Sequence, residues 1–215
     1  MAGDHHLTED EEFAALRHEM VEDQLRARGI EDEAILAAFR KVPRHEFVDP
    51  GRRMEAYADR ALPLAEGQTI SQPFVVARMA ELARLRPGDR VLEVGAGSGY
   101  AAAIFAEIAA EVTTVEIRPA LAERAREALD RLGYDNVTVV AGDADELPAD
   151  ARFDAVIAAA AAPRIPASLE RQLTDGGRMV LPVGTRFSQY LWTVERRGDE
   201  FVRRRHEPVA FVPLI

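Results

Sequence analysis

The 215-residue chain is 47% hydrophobic and 30% charged, a balance that supports one well-packed core and argues against wholesale disorder. Its 37 acidic residues outnumber 27 basic ones, and the formal net charge of -10 argues against binding driven by long-range attraction to nucleic-acid phosphates. With no cysteine there are no disulfides or thiolate metal sites, and no run approaches the ~18 apolar residues of a membrane-spanning helix, so a cytoplasmic protein without membrane association is expected.

The length favours a single domain over 1–215, with 1–12 expected to be flexible, 13–72 a helical extension and 73–215 the core. Thr8 and Glu11 have the spacing of a capping box ahead of a helix with Phe13, Leu16, Met20 and Leu25 on one face, and Gly29 reads as its stop. A short helix from Asp32 buries Ile35, Leu36 and Phe39 and ends before Pro43, because the residue preceding proline resists the α region. Positions 47–69 read as irregular. Gln72-Pro73 opens a helix whose apolar residues are Phe74, Val75, Met79, Leu82 and Leu85.

From Asp89 the pattern alternates: strand 90–94, helix 99–109, strand 111–116, helix 119–132, strand 137–141, strand 153–159, helix 166–173 and strand 178–183. That rhythm predicts an α/β fold, a Rossmann-like, doubly wound and mostly parallel sheet with helices on both faces. Segments 190–195 and 201–212, joined through Arg197-Gly198-Asp199, predict antiparallel strands at one edge.

The chemistry concentrates in a glycine loop between the first strand of that series and its helix. Gly95 and Gly99 permit a tight turn, Gly97 lets backbone approach a ligand, and the helix start offers unpaired N–H groups. The Gly95-x-Gly97-x-Gly99 spacing departs from the dinucleotide fingerprint and disfavours a pyrophosphate. Glu116 ends the next strand, where a carboxylate can accept hydrogen bonds from ribose hydroxyls. Asp143, after Ala141-Gly142, either receives an adenine amino group or serves as a turn-former. Ser71 either donates to a carboxylate or caps the following helix. His5, His6, His18, His45 and His206 have no metal-ligand spacing, so no metal is expected, and His45 reads as structural or pocket-lining. The arginines at 196–197 and 203–205 read as solvated faces.

Several separate segments carry a family resemblance: Gln24-Leu25-Arg26-Ala27-Arg28-Gly29-Ile30, Val42-Pro43-Arg44-His45, Gly67-Gln68-Thr69-Ile70-Ser71-Gln72-Pro73, the glycine loop, Gly142-Asp143, Leu181-Pro182-Val183-Gly184 and Phe211-Val212-Pro213-Leu214. Over nearly all of 20–215 the chain resembles the protein-L-isoaspartate O-methyltransferases. The resemblance implies S-adenosylmethionine as cofactor, with S-adenosylhomocysteine as product, held by Thr69, Ile70, Glu93, Gly95, Ala96, Gly97, Ser98, Gly99, Glu116, Ile117, Gly142, Asp143 and Ala144. It implies Ser71 at the active site and Leu181, Pro182, Val183 and Gly184 as substrate contacts. It also implies that the partners are isoaspartyl-containing proteins and peptides, with 13–72 on the substrate side; a monomer is expected. Ala144 stands where the family usually has glycine, Ala159 where threonine is common, and Ile215 where threonine is common. Two other readings remain: a relative that methylates ordinary aspartate in a dedicated peptide, and an inactive cofactor-binding module. A NAD-dependent oxidoreductase is disfavoured by the loop spacing.

Overall fold

A computed structural model describes residues 8–214; the flexibility expected of 1–7, the histidines there and the departure at Ile215 lie outside the described residues. Helix α1 (Glu9–Glu19) starts on the capping box, with Thr8 Oγ1 accepting from Glu11 N at 3.3 Å and Glu11 Oε2 accepting from Thr8 N at 2.8 Å. Residues 8–12, within the stretch expected to be flexible, form this helix start, where reciprocal capping satisfies donors that would otherwise fray. The helix then widens into a π-turn over Met20–Leu25 and tightens over Arg26–Arg28 before Gly29 closes it with a φ of 91°. The reason is in the spacing. Met20 and Leu25 are five residues apart, and only a π-turn keeps both on the buried face.

Helix α2 (Glu33–Lys41) is capped by Asp32 and ends before Pro43 as expected. The stretch read as irregular contains a small antiparallel ribbon, β1 (Leu62–Pro63) with β2 (Thr69–Ile70). Helix α3 (Pro73–Ala83) buries Pro73, Val76, Ala77, Met79, Ala80 and Ala83, a stripe rotated from the one expected. Its alanines allow close approach to the sheet, while Phe74, Val75 and Leu82 are half-buried, and Arg28 lies 3.5 Å over the Phe74 ring.

The central sheet has the order β5-β4-β3-β6-β7-β8-β9, from β3 (Arg90–Val94), β4 (Glu111–Glu116), β5 (Val137–Ala141), β6 (Phe153–Ala158), β7 (Leu173–Thr185), β8 (Ser188–Arg197) and β9 (Glu200–Val209). Strands β3 to β7 pair in parallel, and β8 and β9 are antiparallel. Helices α4 (Tyr100–Ala106), α5 (Pro119–Arg131) and α6 (Ala167–Arg171) complete the order. The chain leaves β3 toward β4 on one side and returns to β6 on the other, which opens a crevice at the strand ends between them.

β7 begins five residues earlier than expected, with a register shift between Phe153 and Ala155 absorbing Gly176-Gly177. It also forms a two-residue hairpin with β8, in which Thr185 faces Ser188. β9 stops at Val209, short of the expected 212, and the last residues leave the sheet. At Gly184 a Cβ would land on the Ser188 carbonyl oxygen and lie 2.8 Å from Gln189 Cα, and its φ of 149° is one that L side chains rarely adopt. Gly184→Ala is expected to destabilise by about 3 kcal/mol or more, read as a lower denaturant midpoint.

One apolar cluster runs from Phe13 through α2, α3 and α4 to Leu191, so the helical extension and the sheet share a core. At their junction Arg44 is fully buried, its Nε donating to Ala56 O at 2.7 Å and its guanidinium 4.6 Å from the Tyr100 ring. No carboxylate among the described residues pairs with it, and its Nη1 and Nη2, like Tyr100 Oη, have no partner; burial pushes its pKa down. His45 is structural: it stacks on Phe13 at 4.0 Å, and its Nδ1 lies 2.7 Å from Tyr57 Oη. Burial lowers its pKa, which favours the neutral ring.

Candidate active site

The crevice at the carboxyl ends of β3, β4 and β5 is a cavity of about 550 Å³. Its floor is the turn after β3. Gly95 N and Ala96 N donate to Val115 O at 2.8 and 3.2 Å, which pins the loop to β4, and Gly99 N closes the turn onto Ala96 O at 2.8 Å. Gly99 caps α4 with a φ of 84°, and a Cβ there would press within 3.3 Å of Leu129 and Ala125. Ser98 Oγ accepts from Tyr100 N at 3.3 Å, so this hydroxyl serves the helix start.

Glu116 organises the loop. Its Oε2 accepts from Gly97 N at 2.9 Å and its Oε1 from Arg118 N at 3.1 Å, so one carboxylate fixes two turns and keeps free lone pairs facing the cavity. Asp143 is the turn-former considered for it and also faces the cavity. Its Oδ1 accepts from Asp145 N at 2.9 Å in a capping box with Glu146, while the residue also lines the cavity. Glu93, one residue from the end of β3, is 1% exposed, and Thr114 Oγ1 donates to its Oε2 at 2.5 Å. Its pKa is pushed up to about 8, mainly by burial and secondarily by the nearby Glu116 charge, against the Thr114 hydrogen bond.

Thr69, Ile70 and Ser71 form the facing wall. Ser71 does not cap α3: the N-cap is Gln72, whose own side chain turns away to Asp59, 2.7 Å from Oδ1. The Ser71 hydroxyl makes no hydrogen bond among the described residues and lines the cavity. Of the residues expected to hold the cofactor, all line this cavity except Gly99, which acts behind it through the turn.

Leu181, Pro182, Val183 and Gly184 are not brought to the cavity. They lie inside β7, with β8 on one side and Ala162 on the other: Ala162 N donates to Pro182 O at 3.1 Å and Gly184 N to Ala162 O at 2.9 Å. Their backbone groups are thus already engaged. The wall in front of them is one that sequence reasoning missed, Ala159, Ala160 and the tail Val212-Pro213-Leu214. Gln189 holds that tail with two hydrogen bonds to the Phe211 backbone, 2.7 Å from N and 3.1 Å to O. The matching motif at 211–214 was the available signal.

Among the described residues the charged lining is Glu93, Glu116, Asp143 and Asp145 against a single cation, Arg118, which is itself paired with Glu66 at 3.2 Å. Such a set of acceptors repels a pyrophosphate and suits a polyhydroxylated, positively charged nucleoside. Fold and cavity together define the class of Rossmann-like S-adenosylmethionine-dependent methyltransferases. Residues 16–215 match the profile of the protein-L-isoaspartate(D-aspartate) O-methyltransferase (PCMT) family. The chain belongs to this family.

Curated relatives with that enzyme name include one from Roseiflexus sp. (strain RS-1), 53% identical over 95% of this chain and 94% of the relative. Another, from Gloeobacter violaceus, is 52% identical over 91% of this chain and 96% of the relative. A solved protein-L-isoaspartate O-methyltransferase superposes with a TM-score of 0.82 at 28% identity; the match covers 92% of this chain and 65% of that longer one. A Plasmodium falciparum structure solved with S-adenosyl-L-homocysteine shares the fold, with a TM-score of 0.81 at 24% identity over 93% of this chain and 98% of that one.

Proposed function

We propose that this chain carries out its family's reaction, transferring a methyl group from S-adenosylmethionine to the α-carboxylate of L-isoaspartyl residues, with Ser71 aligning the acceptor. The observation that carries this reading is the Ser71 hydroxyl, unspent on the helix behind it and set in the same cavity as the Gly95–Gly99 loop and Glu116. The cofactor supplies an electrophilic methyl group on a sulfonium.

The rest is positioning. Glu116 receives the ribose hydroxyls, Asp143 the adenine amino group through the oxygen not used in its cap, and the loop from Gly95 to Ser98 follows the remainder. Thr69, Ile70, Ile117, Gly142 and Ala144 close the surrounding wall. A carboxylate acceptor has a reference pKa of about 3.5 and is ionised at neutral pH, so no general base is needed. Ser71 donates to one carboxylate oxygen and leaves the other in line with the methyl group, so alignment supplies the rate. Leu181, Pro182, Val183 and Gly184 act behind this surface, by fixing 160–162 and through them the tail. Methyl esterification makes the carboxyl a better leaving group for succinimide closure, and hydrolysis of the succinimide returns part of the material to aspartate.

The chain works as one domain over 1–215, as a cytoplasmic monomer that engages neither membranes nor nucleic acid. No described helix is long and apolar enough to cross a membrane, and the acid-rich lining repels phosphates.

Labelled S-adenosylmethionine with two matched peptides, one isoaspartyl and one aspartyl, tests the substrate class. Label is expected on the isoaspartyl peptide alone. Equal labelling would favour a methyltransferase of ordinary aspartate, and cofactor binding without any labelling would make the chain a binding module.

A further inference from the structure

Two carboxyls in the cavity have opposite surroundings. Glu116 accepts two backbone N–H groups, at 2.9 and 3.1 Å. Glu93 has only the Thr114 hydroxyl, and no other protein hydrogen bond reaches it among the described residues. Its neighbours in the sheet are Thr114 on β4 and the apolar Ile157 on β6. The charged groups sharing the cavity are Glu116, Asp143 and Asp145, which disfavour a second negative charge, and Arg118, which is engaged by Glu66. A buried carboxylate with one neutral donor, acidic company and no cation of its own is better accommodated as the neutral acid. A cationic ligand reverses that preference.

We propose that Glu93 is a neutral carboxylic acid in the cofactor-free protein and releases its proton to solvent as S-adenosylmethionine enters, so that cofactor binding and proton release are one event. In the step, the Glu93 O–H bond breaks, the electron pair stays on the carboxylate oxygen, and the proton passes to a buffer base. The cofactor brings a sulfonium and an ammonium against one carboxylate, and this net positive charge beside Glu93 favours its ionised form. The shift of Glu93 to about 8 agrees in direction and places the proton on the residue at neutral pH.

The inference rests on the cofactor reading above, and calorimetry separates the two. Titrating S-adenosylmethionine into the protein at pH 7, in buffers of different ionisation enthalpy, is expected to show release of close to one proton, about 0.9 per cofactor bound. The dissociation constant is expected to fall about ninefold from pH 6 to 7, about fivefold from 7 to 8, and to level off above. The cofactor's own amine titrates nearby, so Glu93→Gln is the reference: its amide oxygen can still accept from Thr114, and it should keep only the amine's contribution, losing the proton release and the steep pH dependence that belong to Glu93.

A second measurement needs no variant. Infrared difference spectra of wild-type protein should lose the carbonyl band of a protonated carboxyl when cofactor is added. The cofactor-free protein should also lose stability as pH rises from about 4.5 toward 8, because a carboxyl with a raised folded pKa binds more protons folded than unfolded there. Binding with proton release equal in wild type and Glu93→Gln, or without loss of the carbonyl band, would overturn the proposal and leave the cofactor reading intact. Absence of binding would overturn both.

Discussion

Glu116→Gln protein is expected to bind S-adenosylmethionine about 30- to 1000-fold more weakly, a loss of ~2–4 kcal/mol. The wild-type carboxylate accepts from Gly97 N and Arg118 N on its two oxygens. An amide keeps one acceptor and turns its NH₂ toward the other backbone donor, so one of the two turns must open. Charge-assisted hydrogen bonds are worth about 1.5–3 kcal/mol each, and the ribose loses an acceptor at the same time. Calorimetry reads the affinity, and the thermal midpoint without cofactor shows whether the sheet survives. An unchanged dissociation constant would remove Glu116 from the cofactor site.

Ser71→Ala divides binding from turnover in the opposite way. The hydroxyl makes no hydrogen bond among the described residues, so cofactor affinity and stability should match wild type, while kcat toward isoaspartyl peptide falls about 100-fold or more. Had Ser71 been the cap of α3, the same change would have lowered stability by ~1 kcal/mol. Wild-type turnover in this variant would end the alignment role, and a stability loss without a rate loss would restore the capping one.

The alternation of strands and helices from Asp89 was legible because each element announces its own period and its own punctuation. The glycine loop, Glu116 and Asp143 were legible because chain order fixes which strand ends share an edge. What escaped depends on tertiary surroundings. The π-turn over 20–25 hides in a five-residue spacing that looks like a flaw in a 3.6-residue pattern. The rotated face of α3 follows from alanines that fit the sheet better than the larger residues beside them. Leu181 to Gly184 stand in a recognisable motif, but the sequence does not reveal that Ala162 and β8 occupy both flanks of that strand. Glu93 is visible in the motif, whereas its lack of donors is a property of the folded cavity alone.

The cation buried at Arg44 constrains how this sequence can drift. Its guanidinium is supported by one carbonyl and the face of Tyr100, without a counter-ion among the described residues. Losing the aromatic ring alone strands a charge among hydrocarbon, and losing the arginine alone leaves a gap beneath the ring at the entry to the cofactor helix. Each change by itself is costly, while a joint change to a well-packed apolar pair removes the isolated charge and fills the space. Positions 44 and 100, in the helical extension and in the core, are therefore expected to covary: in any lineage, a change at one is a record of what happened at the other.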